Sequence, residues 1–167
     1  MKSLALSTLA FCLSTAAYAG ELRVSDAYIP MAPPEAMAHA AYMTISNEGT
    51  TARKLTSVTA ENYHMAHLHM TVEKDGISSM ASLSHISLLP GQEIVLMPGK
   101  MHVMLMKPKM ALKEKSKIYL TLNCANGEAL TVEAIVKSGN DVDHGHHGHD
   151  KHHEHDAHHG HDDHADH

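Results

Sequence analysis

Five turn signals divide this chain into pieces too short for long helices: Asn47-Glu48-Gly49, Lys74-Asp75-Gly76, Leu89-Pro90-Gly91, Met97-Pro98-Gly99 and Ala125-Asn126-Gly127. Gly, Asn and Asp accept the positive φ that tight hairpin turns demand, and Pro presets the bend. Between the turns apolar and polar residues alternate, as in Ile118-Tyr119-Leu120-Thr121-Leu122-Asn123. That period of two marks a half-buried antiparallel strand. The pattern predicts strands at 22–29, 40–46, 53–59, 64–72, 77–80, 93–96, 102–106, 118–123 and 130–136. Only 108–117 and 34–41 have room for a helical turn. Short strands with frequent turns point to a β-sandwich or Greek-key barrel. There is no Trp, and Phe11 is the one Phe, so the core is expected to be aliphatic and Met-filled.

Residues 20–138 have the size of one domain, and both flanks read differently. At the N-terminus, one lysine precedes an apolar run from Leu4 to Leu13 and the segment closes on Ala17-Tyr18-Ala19. Residues 1–19 are therefore expected to be a cleaved secretory signal. The run is shorter than the roughly 20 residues a membrane span needs. Cys12 follows Phe11 instead of a small residue, which argues against a lipid anchor there. The mature chain would keep Cys124 alone, expected to be buried as a small hydrophobe at the end of a strand.

From Asp141 the chain runs DVDHGHHGHDKHHEHDAHHGHDDHADH, with Val142 as the one large aliphatic residue. Such a composition cannot bury enough apolar surface to fold, so 139–167 is expected to be a disordered His-rich tail. The net charge of −6 is concentrated there, which leaves no basic footprint for nucleic acid. A monomer without a membrane span is expected.

Methionine is over-used, with 12 in the chain, and it clusters with histidine. One cluster is His64-Met65-Ala66-His67-Leu68-His69-Met70, followed by Met80; the other is Met101-His102-Val103-Met104-Leu105-Met106. On a strand His102 and Met104 share a face, about 6–7 Å apart. His69 and Met80 flank the Lys74-Asp75-Gly76 turn. A two-residue loop would set them on one face as direct or diagonal neighbours, and a bulged three-residue loop would set them on opposite faces.

Thioethers are soft and neutral, and select Cu(I) over zinc, calcium or magnesium. A set of imidazoles and thioethers with no thiolate or carboxylate also suits a monovalent ion in a partly buried place. For single residues the plainer reading holds. Met43, Met97 and Met110 are expected as core filler, and Met31 and Met37 flank a Pro-Pro pair as a lip or nothing more. His39, His64 and His85 are expected to be structural or at the surface. His67, Met101 and Met106 are the candidates for a second layer or an alternative ligand set. In the tail, His144, His146, His147, His149, His152, His153 and His155 offer imidazoles for Cu(II), zinc or nickel without fixed geometry.

The spacing His69-x10-Met80-x21-His102-x-Met104 resembles the signature of the periplasmic copper chaperone family called PCuAC. AAYMTISNEG, LPGQEIVLMPGKMHVMLM and KPKMALKEKSKIYLTLNC look like that family's strands and turns, and the resemblance covers 24–136. It implies a cupredoxin-like sandwich and Cu(I) held by His69, Met80, His102 and Met104. It also implies delivery to exported or membrane copper proteins, with the dinuclear copper centre of cytochrome oxidase as the usual client. Cys124 and the long His tail depart from the family's pattern.

Other functions fit less well. A blue-copper electron carrier needs a Cys thiolate with two His, and no histidine follows Cys124 within the domain. An enzyme is not expected: copper oxidation needs hard, open coordination, and a lone cysteine cannot resolve a mixed disulfide in cis. The competing expectation is a periplasmic scavenger of zinc, nickel or copper acting through the tail.

Overall fold

The computed structural model describes residues 22–138; the expected signal at 1–19 and the His-rich tail at 139–167 lie outside the described residues. The first strands are β1 (Leu22–Pro30), β2 (Ala38–Asn47), β3 (Arg53–Ala60), β4 (Tyr63–Lys74) and β5 (Ile77–Ser82). They are followed by β6 (Ile86–Leu88), β7 (Glu93–Leu96), β8 (Met101–Pro108), β9 (Lys117–Cys124) and β10 (Ala129–Lys137). All nine expected strands are present, most of them longer by a residue or two at the ends. β6 was not expected: three residues are too few to display an alternation, and it exists because Ile86–Leu88 pairs with Arg53–Leu55 of β3.

No helix occurs among the described residues. The window at 34–41 is taken up by a turn, with Ala36 N–H donating to Pro33 O at 2.9 Å, and then by the start of β2. In 108–117 a turn forms where Ser116 N–H donates to Lys113 O at 3.1 Å.

The strand order is β5-β4-β8-β2-β1-β10-β9-β3-β6, with β7 alongside β2. Long connections therefore bring distant strands together, as in an all-β Greek-key arrangement. β1 and β10 run parallel, and the other pairs are antiparallel. β2 serves two layers: Ala38–Ala41 pair with β8, and Met43–Ser46 pair with β7. A strand that changes partner in mid-course makes a corner of a sandwich. Both layers close over one aliphatic cluster that includes Ile29, Ile45, Leu55, Leu68, Val103, Leu105, Leu120 and Val136. Each such buried side chain stabilises the fold by about 1.5–3 kcal/mol.

The core is aliphatic as expected but not Met-filled. Met43 is the one fully buried methionine among the described residues. Met97 and Met110 sit at turns, 39% and 59% exposed, so the expectation of core filler fails for both. Cys124 is free and buried, and burial pushes its thiol pKa up, with Glu128 adding to the effect. It packs as the small hydrophobe its strand position predicted.

Candidate metal centre

The centre is built on the β4–β8 pair. Its register sets His69 opposite His102, His67 opposite Met104 and Met65 opposite Met106. The alternate rungs pair Ala66 with Leu105, Leu68 with Val103 and Met70 with Met101. Because successive side chains point to opposite faces, every rung of the first set turns away from the core. Leu68, Val103 and Leu105, in the second set, are buried in it. Met101 belongs to the inward set and packs against the core, so it stands apart from its neighbour His102.

The turn after β4 decides where Met80 falls. Lys74 pairs with Ile77, leaving Asp75-Gly76 as a two-residue loop, with φ of 53° and 75°. Both values are positive, as a type I′ hairpin requires. The register then sets Met80 opposite Thr71 and Ser82 opposite His69. Met80 is thus a diagonal neighbour of His69 on the same face, the outcome expected of a two-residue loop.

Met80, His102 and Met104 line one cleft of about 510 Å³, together with Met31, Tyr42 and Thr71. His69 borders it, its ring centroid 5.9 Å from that of His102. His102 is buried, with Tyr42 at 6.3 Å in an edge-on contact, while Met80 is 61% exposed and leaves that side open. The four residues therefore lie on the outward face of the β5-β4-β8 sheet. His67 continues the row, 6.3 Å from His69 by ring centroids, with Met106 one rung further on.

His69 carries the clearest sign of an incomplete environment. Its Nδ1 is buried with no hydrogen-bond partner, whereas Nε2 lies 3.2 Å from Ser82 Oγ. A buried nitrogen without a partner costs about 1–3 kcal/mol unless something else uses its lone pair. Burial, and then the charges of His102 and His67, hold the His69 pKa below the ordinary histidine range. The neutral imidazole is the form that binds metal. The tautomer that donates Nε2–H to Ser82 Oγ would leave the Nδ1 lone pair unused by the protein. Among the described residues, no group of three or more His, Cys, Asp or Glu is placed to hold an ion. The donors on this face, imidazole and thioether, are uncharged, and the thioethers are soft.

The remaining histidines fall as expected. His39 is buried on the inward face of β2, Nδ1 2.7 Å from Tyr63 Oη, a structural pair. His64 is exposed, and His85 pairs with Ser84 Oγ at 3.0 Å. Ser82 and Tyr42 were not singled out in the sequence. Counting rungs back from the hairpin turn would have found Ser82 opposite His69; Tyr42 needed the crossover that brings β2 beside β8.

The model of the LpqE-like family matches residues 22–136. A Leifsonia xyli subsp. xyli protein, Lxx21020, named as a lipoprotein, is 29% identical over 110 residues. That match covers 65% of this chain and 66% of the relative, just under two thirds of its length. Among solved structures, the apo PCuAC domain from PmoF1 has a TM-score of 0.60 at 24% identity, covering 71% of this chain and 95% of that one. The solution structure of the Cu(I) form of DR1885 from Deinococcus radiodurans has a TM-score of 0.55 at 29% identity. It covers 66% of this chain and 74% of that one.

Proposed function

The chain belongs to the LpqE-like family and has the PCuAC fold, and on that premise we propose that it is an exported copper chaperone. Copper is its cargo, held as Cu(I) by His69, Met80, His102 and Met104. The observation that carries this reading is the convergence of Met80, His102 and Met104 on one cleft, beside a buried His69 nitrogen with no partner. The Cu(I) named for the Deinococcus relative supports the choice of ion, and the lipoprotein name of the Leifsonia relative supports export.

Each side chain has a part in binding and release. His69 and His102 supply nitrogen from a rigid two-strand ladder, and Met104 supplies sulfur beside them. Met80, largely exposed on a short strand, is the ligand an acceptor would displace first. Neutral thioethers exchange readily, so the site holds and hands over without catalysing a reaction. His67 and Met106, next along the same face, form an alternative ligand set during exchange. The client is a copper protein outside the cytoplasm, with the dinuclear centre of cytochrome oxidase as the leading candidate. The imidazoles from His144 to His155 capture Cu(II) ahead of the domain.

The test compares the full chain with one ending at Ser138, each titrated with Cu(I) against a chromophoric chelator and with zinc in competition. The proposal expects one tight Cu(I) site in both, undisturbed by zinc, and Cu(II) capacity only in the longer. Zinc displacing copper from the shorter chain, or no Cu(I) site in it, would favour the alternative of a tail-based zinc, nickel or copper scavenger.

A further inference from the structure

The cleft has a wall that does not come from the sheet. Met31, in the loop between β1 and β2, lines it together with Met80, His102 and Met104. We propose that Met31 supplies a third thioether to the bound Cu(I), closing the site from the loop. The inference rests on reading His69, Met80, His102 and Met104 as the copper site.

Three observations carry it. Met31 is 40% exposed and is not among the residues packed against the core, so it does not serve as core filler. Its backbone is fixed. Met31 N–H donates to Lys137 O at 2.7 Å, and Pro30 before it pairs with Lys137 in the β1–β10 ladder. Pro33 and Pro34 stiffen the chain after it. A side chain on an anchored loop gives up little freedom on binding, which favours its use as a ligand. Finally, the thioether is soft and neutral like those of Met80 and Met104, so it adds affinity for Cu(I) without drawing in a dication. Met37, further along the same loop, makes the contrast. It is 69% exposed, does not line the cleft, and uses its carbonyl to accept Lys107 N–H at 2.9 Å.

The experiment is X-ray absorption on the chain freed of residues 1–19 and carrying half an equivalent of Cu(I), with affinity measured in parallel by chelator competition. The tail from 139 onward holds no Met or Cys, and the other sulfurs outside the domain are Met1 and Cys12 of the expected signal. With that segment removed, sulfur scattering reports on the domain. Met31→Leu is expected to lose one sulfur neighbour and to weaken Cu(I) binding about tenfold, with an unchanged urea midpoint. Met37→Leu is expected to match the unsubstituted protein. Equal sulfur counts and affinities in Met31→Leu and the unsubstituted protein would overturn the role of Met31 and leave the four-residue reading standing. If Met80→Leu/Met104→Leu kept the sulfur count instead, the four-residue reading itself would fail, and Met31 with it.

Discussion

The two faces of the β4–β8 pair differ sharply, although they share the same backbone. Inward, Ala66, Leu68, Val103 and Leu105 join the aliphatic cluster. Outward, the rungs are His69 with His102, His67 with Met104, and Met65 with Met106. An alternation of period two thus writes stability on one face and chemistry on the other. Inward side chains should therefore govern folding with little effect on copper, and outward ones the reverse.

The largest effect is expected on the inward face. Leu105 is fully buried opposite Ala66, and Leu105→Ala should destabilise the protein by about 2–5 kcal/mol through lost burial and the cavity left behind. Urea unfolding measures this. The folded fraction should still bind Cu(I) tightly, and loss of binding without loss of stability would break the division between the faces.

The mirror experiment comes next. Met80→Leu/Met104→Leu keeps side-chain volume, so stability should change by less than about 1.5 kcal/mol. Cu(I) affinity should fall about a hundredfold or more, equivalent to about 2.8 kcal/mol. A double variant that held Cu(I) as tightly as before would show that the outward row is not the site.

How far these faces were legible in the sequence follows from the same period. The assignment of His102 and Met104 to one face needed only the rule that residues two apart share a side. His69 and Met80 needed the loop length as well, and Asp75-Gly76, with both φ positive, settled what the sequence left open. The rank of the methionines was misjudged because composition cannot tell a core thioether from an exposed one. Among the described residues only Met43 is a buried methionine, whereas Met97 and Met110 stand at turns. Met31 stands in the sequence as a lip or nothing more, because its neighbours across the cleft depend on the loop from β1 to β2 and on β8 lying beside β2. β6 was invisible for a related reason, since its partner β3 is remote in sequence.

A smaller effect tests how the outward face is held in readiness. Ser82 lies opposite His69, its Oγ 3.2 Å from Nε2, and so helps to hold the ring in its orientation. Outer partners of this kind are worth about 10–100-fold in metal affinity. As this contact is on an exposed strand, Ser82→Ala should weaken Cu(I) binding by about tenfold, at the lower end of that range. Ser82→Thr, which keeps the hydroxyl, should restore most of it. If Ser82→Ala left the affinity unchanged, this contact would have no part in readying His69 for the metal.

The smallest effect compares one histidine from each face in the copper-free protein. Burial holds the pKa of His39, on the inward face of β2, below the ordinary value of 6.5, and His69 on the outward face is lowered by burial and by His102 and His67. In the unfolded chain both regain the ordinary value, so below it the unfolded state binds more protons than the folded one. Their contribution is therefore fully present above pH 6.5 and is lost as the pH falls through the depressed values. The urea midpoint should accordingly decline on going from neutral to mildly acidic buffer. His39→Asn and His69→Asn should each flatten the decline, and the double variant should flatten it further. His39→Asn should also lower the midpoint at neutral pH, because Tyr63 Oη loses its 2.7 Å partner in the core, whereas His69→Asn should leave it nearly unchanged. A decline that persisted undiminished in the double variant would place the acid sensitivity elsewhere. Equal losses at neutral pH from the two single variants would mean that the inward and outward faces are not divided between folding and binding.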